Sequence, residues 1–223
     1  MSVIGKSSSR EVEQTVRAIR GAENLHWLRV FGIVDSDGRL NDEITQLKND
    51  GIYGVPAYSV EALYYHPEIQ LRVAQRHSAV VGGNAEDRLN NAKQQALAAM
   101  AEHSARMSER VAEKTIRGDV LKQIPGKNEI KEAKPIEIKI DTAAVVAAEH
   151  DRLKAVLATN DVAAIIMRYP VRETPALTRI AEQLGFQDRE QYEAAVLKLL
   201  IDDAEALAFV RSLFGDLSAR VAA

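Results

Sequence analysis

The run LRVFGIV, residues 28–34, constrains the fold more than any other stretch of the chain. Its uninterrupted apolar core and β-branched residues fit a strand buried within a parallel sheet. Before it, EVEQTVRAIR sets Val12, Val16 and Ile19 at helical spacing behind a serine-rich segment that offers N-caps, and Gly21 breaks the pattern. After it, DEITQLKNDG reads as a short helix closed by Gly51, and IYGVPAYSV as a second short strand interrupted by Pro56. Helix, strand, helix, strand is an α/β pattern. Asp35 then stands at the carboxyl end of the first strand, the end at which parallel sheets bind ligands.

Beyond residue 84 the periodicity changes. Leu89, Ala92, Ala96, Met100, His103, Met107 and Val111 recur in steps of three and four, which predicts one continuous helix over 85–117. It would be about 48 Å long, an arm or half of a helical hairpin. His103 on that stripe reads as a packing residue. The stretch IPGKNEIKEAKP is a polar break, IEIKI alternates as a short strand, and helices follow over 142–158 and from 175 onward. Gly185 should stop one of them, while Tyr192, Val196, Leu199 and Leu200 mark the core face of the next. The expected organisation is an α/β unit over 1–84 followed by a mostly helical region over 85–223.

Composition narrows the chemistry. Across 223 residues the formal net charge is −3, so no global basic field advertises nucleic acid, and any such contact must come from a local patch or a partner. The absence of cysteine excludes disulfides, thiolate metal sites and cysteine nucleophiles. No apolar run approaches the roughly 20 residues of a membrane span, and the first residues lack the apolar core of a signal peptide. The expectation is a soluble, cytoplasmic protein with no membrane contact.

The segment DSDG, residues 35–38, allows two readings. It is a common turn, because Asp accepts local backbone hydrogen bonds and Gly permits positive φ. It also places two carboxylates where a hard divalent cation would relieve their repulsion. A haloacid-dehalogenase-type phosphatase would use Asp35 as nucleophile and Asp37 as acid/base, but Arg39 stands where that motif usually carries Thr. The GKSSS stretch at residues 5–9 lacks the upstream glycine that a phosphate-binding loop needs.

VFGIVDSDGR followed by GVPAYSVEALYYHPEI resembles the Toprim domain of ABC-type ATPase nucleases of the overcoming-lysogenization-defect kind and their relatives in phage defence. VIGKSSSREVEQTVRAIR is similar to the strand, glycine turn and helix that precede the Asp-x-Asp strand there. IPGKN resembles a later Gly-Lys turn, and RYPVRETPAL with QYEAAVLKLL the helical tail. The resemblance implies a partial Toprim-like parallel sheet, magnesium or manganese as cofactor, and cleavage of DNA or RNA phosphodiesters together with an ABC-type ATPase domain or subunit. It makes Asp35 and Asp37 metal ligands and Glu61 a further acidic member, although Glu61 equally suits the first turn of a helix. Lys127 would contact a phosphate, with Arg39 and Arg172 as weaker candidates; a lone lysine in a polar loop is also simply solvated. The family's catalytic glutamate belongs on a strand before VIGKSSS, where this chain begins. The acidic set is therefore expected to be incomplete, and the chain as given to cleave little or not at all. The competing class is a non-enzymatic interaction module, in which the helices bind an ATPase partner and the aspartates only support a turn. Helix-to-helix packing could also join copies into a homo-oligomer.

Overall fold

Ser8 opens the first helix, α1 (Ser9–Gly21), by accepting the Glu11 N–H on its hydroxyl at 3.3 Å. The apolar face of α1 meets the first strand, β1 (Gly32–Val34), at a glycine. A Cβ at Gly32 would lie 2.7 Å from Val12 Cγ1 and 3.0 Å from Val16 Cγ2, so only glycine admits the helix this close. Helix α2 (Asn41–Asn49) leads to Gly51, whose φ of +79° turns the chain into β2 (Ile52–Gly54). The strands are parallel, with Gly32 opposite Ile52, Ile33 opposite Tyr53 and Val34 opposite Gly54. This computed structural model describes residues 8–36, 39, 41–125, 130–131 and 137–222.

The expected helix-strand-helix-strand unit is present, with both strands shorter than the apolar runs that announced them. Residues 26–31 lie outside any strand, and the IYGVPAYSV segment is strand only as far as Gly54. A ladder extends only as far as its partner, and among the described residues these two strands pair only with each other.

The remainder is helical: α3 (Val60–Tyr64), α4 (Pro67–Val81), α5 (Ala85–Glu102), α6 (Ser104–Lys122), α7 (Thr142–Ala158), α8 (Val162–Arg168), α9 (Ala176–Gln183), α10 (Arg189–Asp202), α11 (Ala204–Leu213) and α12 (Leu217–Ala222). Gly185, at φ +95°, follows the end of α9 as its position predicts. Tyr192, Val196 and Leu199 of α10 are buried, and Leu200 packs against them at the margin.

Two expectations fail. The helix predicted as continuous over 85–117 breaks at His103, whose φ of −108° and ψ of 15° leave the helical region while its Nδ1 lies 2.9 Å from the Ala99 carbonyl. The apolar stripe is still buried on both sides of the break, at Ala92, Ala96, Met100, Met107 and Val111. The two halves have different partners: α5 packs on α4 and α9, whereas α6 packs on α7. The alanines of the stripe let α5 approach Ala176, Leu177, Ile180 and Ala181 of α9 closely. The alternating IEIKI segment is also no strand over 137–140. Alternation makes a strand only where a neighbour completes the ladder, and no described strand lies beside it.

Buried apolar side chains form two clusters. Val16, Val34, Leu47 and Ile52 make a small one between α1, α2 and the sheet. The large one begins at Val55 and runs through α3 and α4 into the helices beyond residue 84. The elements from α1 to β2 are joined to the helical body by backbone and polar contacts, whereas α3 and α4, expected within the α/β unit, share the large core instead. Tyr58 N–H donates to the Ile166 carbonyl at 3.3 Å, the Tyr53 hydroxyl donates to Asp216 at 3.2 Å, and Arg220 donates to that hydroxyl at 3.1 Å. Among the described residues no helix is long and apolar enough to cross a membrane.

Candidate functional site

The carboxyl ends of β1 and β2 meet the start of α3. Val34 accepts a backbone hydrogen bond from Val55 N–H at 2.8 Å, and the buried Ser36 hydroxyl donates to the Val55 carbonyl. These bonds hold the chain after β1 against the chain after β2. Asp35 is carried by that junction, and its Oδ1 accepts the Val60 N–H at 2.9 Å. Ser59, the residue placed to cap α3, makes no such side-chain bond. Asp35 thus satisfies a backbone donor at the start of the helix that bears Glu61.

Glu61 lies in the first turn of α3. Its Oε2 is shielded from solvent and makes no hydrogen bond among the described residues, although the side chain as a whole is 44% exposed. The nearest cation is Arg172, with Nη1 3.8 Å from that oxygen, a separation of charge pairing rather than hydrogen bonding. A shielded oxygen without a hydrogen bond is a place at which a water or an ion completes the contact.

Of the residues singled out from the sequence, the fold therefore brings Asp35, Glu61 and Arg172 together around one helix start. Asp37 and Lys127 lie outside the described residues. Arg39 is directed elsewhere: it donates to Glu13 on α1 at 2.8 Å, and Glu13 also pairs with Arg17 at 3.3 Å. That contact ties the segment after DSDG to α1. Among the described residues no group of three or more His, Asp or Glu side chains is arranged to hold a metal ion.

A second polar centre was not foreseen from the sequence. Glu149 of α7 is 5% exposed and is bonded by Arg168 Nη2 at 2.9 Å, Arg152 Nη1 at 2.7 Å and the Tyr169 hydroxyl at 2.8 Å. Burial alone would raise its carboxyl, yet Arg168 and Tyr169, with Arg152 adding to them, hold it below the ordinary carboxylate range. The Tyr169 hydroxyl is pushed up to about 12, by burial first and by Glu149 second. A carboxylate satisfied from three directions pins α7 to α8. Its one local signal is the spacing of Glu149 and Arg152 on a helix.

No family model matches the chain, and no match was found among curated proteins or among solved structures.

Proposed function

We propose that the chain is a Toprim-type, magnesium-dependent nuclease module that works with an ABC-type ATPase. The observation that supports this reading is the junction at the strand ends, where Asp35 bonds the start of the helix bearing Glu61 and Glu61 Oε2 is dehydrated without a hydrogen bond. Asp35, Asp37 and Glu61 would hold magnesium or manganese, and the ion would offset charge on a phosphodiester during in-line displacement. The chain's own residues prepare the place: Ser36 and Val34 fix the two strand ends against each other, and Arg172 offsets the charge of Glu61.

One observation favours a second reading, a non-enzymatic interaction module. Asp35 is engaged with backbone and Glu61 with a guanidinium, so both carboxylates also have structural roles that need no ion.

Calorimetric titration with magnesium and manganese separates the two. The nuclease reading expects weak binding by the wild type that Asp37→Asn and Glu61→Gln each reduce several-fold. Equal binding by all three proteins, or none by any, overturns it.

A further inference from the structure

Arg172 reaches Glu61 from a short helical turn, Val171–Glu173, between α8 and α9. That turn is held on both sides. Val171 is 2% exposed and belongs to the large core, and its carbonyl accepts the Thr174 N–H at 3.0 Å and the Thr174 hydroxyl at 2.8 Å. The Pro170 carbonyl accepts the Glu173 N–H at 2.9 Å, and the Glu173 carboxylate pairs with Arg106 and Arg110 of α6 at 3.7 and 3.5 Å. The backbone of Arg172 is thus fixed by its neighbours, whereas its side chain is 47% exposed.

The contact made by that side chain is one that yields. At 3.8 Å from Glu61 Oε2, Arg172 Nη1 is beyond hydrogen-bond range, so the pair holds by charge alone and contributes little to stability. It nevertheless takes up one side of an oxygen that solvent does not reach and that accepts no hydrogen bond among the described residues. A magnesium or manganese ion bound directly to that oxygen would stand about 2.0–2.6 Å from it, close enough to the guanidinium for the two positive charges to repel each other. Both relieve the same carboxylate, and each is a substitute for the other. The flexible stem of Arg172 lets the guanidinium turn out to solvent while the turn that carries it stays in place.

We infer that Arg172 and a divalent cation compete for Glu61, so that Arg172 sets the ion concentration at which the Asp35–Glu61 junction fills. The inference rests on the nuclease reading, since it concerns the ion which that reading requires. It assigns Arg172 a role opposed to ion binding, one that restrains the site rather than completing it.

The test is calorimetric titration with magnesium and manganese at low ionic strength, where charge effects are screened least. Arg172→Gln should bind the ion about fivefold more tightly than the wild type, the upper value for release of an exposed pair. Arg172→Lys keeps the charge, and Arg106→Gln removes one from the adjacent pair with Glu173, which Arg110 still holds; both should stay within about twofold of the wild type. In Glu61→Gln/Arg172→Gln the gain should vanish, because the carboxylate for which the two cations compete is gone. Circular dichroism melting checks that each variant is folded, and Arg172→Ala gives the same comparison should Arg172→Gln not fold. Affinity in Arg172→Gln equal to or below that of the wild type, an equal gain in Arg106→Gln, or a gain that persists without Glu61 overturns the inference. Each of these leaves the nuclease reading standing as long as the wild type binds and Glu61→Gln binds less well. Absence of binding by every protein, Arg172→Gln included, removes both.

Discussion

The α/β unit and the helical body are built to different standards. The first buries Val16, Val34, Leu47 and Ile52 and leaves Trp27 90% exposed and Ile33, on a sheet strand, 47% exposed. The second has a continuous core from Val55 to Ala206, with Tyr65, Tyr169 and Tyr192 fully buried and the hydroxyls of all three hydrogen-bonded. Parallel sheets are normally covered on both faces, so a two-stranded one has little stability of its own. The candidate site sits where the weaker region meets the stronger: Asp35 comes from the first, and Glu61 and Arg172 from elements packed into the second. Its geometry therefore depends on docking between the two.

This contrast can be broken most strongly in the helical body. Leu177→Ala, on the buried face of α9 in the large core, should cost about 4 kcal/mol and lower the melting temperature of the whole chain. Retention of wild-type melting would show that the large core does not hold the molecule together. Glu149→Gln should cost about 2–3 kcal/mol, because Arg168 loses a paired charge in a half-buried setting while keeping some solvent. Denaturant titration measures it.

Ile52→Ala sharpens the comparison from the other side. Its cost should be smaller, about 2 kcal/mol, because few neighbours surround the site and they can close over the space. Hydrogen exchange should show early opening of β1 and β2 with α5 and α9 still protected, and equal loss of protection in both regions would mean that they unfold as one unit.

The smallest effect is expected at His66, which caps α4 by accepting the Glu68 N–H on Nδ1 at 3.2 Å. Burial lowers its pKa, against opposing pulls from Glu68 and Asp161. The folded state therefore disfavours the protonated form that the unfolded chain takes up. The stability this contributes is present above the unfolded value of about 6.5 and is lost as pH falls through the lower folded value. His66→Asn keeps a capping acceptor and should remove this part of the pH dependence, visible as a flatter melting temperature below pH 6.5.

Much of this was legible in local pattern. Val12 and Val16 on α1, the glycine stops at Gly51 and Gly185, and the buried stripe through Ala92, Ala96, Met100 and Met107 all follow from periodicity and backbone sterics, which act over a few residues. Asp35 at a strand end and Glu61 in a helical first turn were legible for the same reason. The break at His103 was not, because the stripe passes through it without a change of period. The two sides of the break have different partners, α9 for α5 and α7 for α6. IEIKI failed as a strand in the opposite way, with a pattern present and no partner to complete it.

The sequence by itself determined the helix-strand-helix-strand order of the first unit and the placing of Asp35 at the carboxyl end of β1, since each rests on spacing between near neighbours. Only the tertiary structure decided that Asp35 would bond the start of α3, that Arg172 would approach Glu61, that Arg39 would turn away to Glu13, and that Glu149 would be enclosed by Arg152, Arg168 and Tyr169. Apart from the helical spacing of Glu149 and Arg152, these are meetings between groups far apart along the chain. Their energies depend on distance and burial in the folded molecule, and spacing along the sequence carries neither.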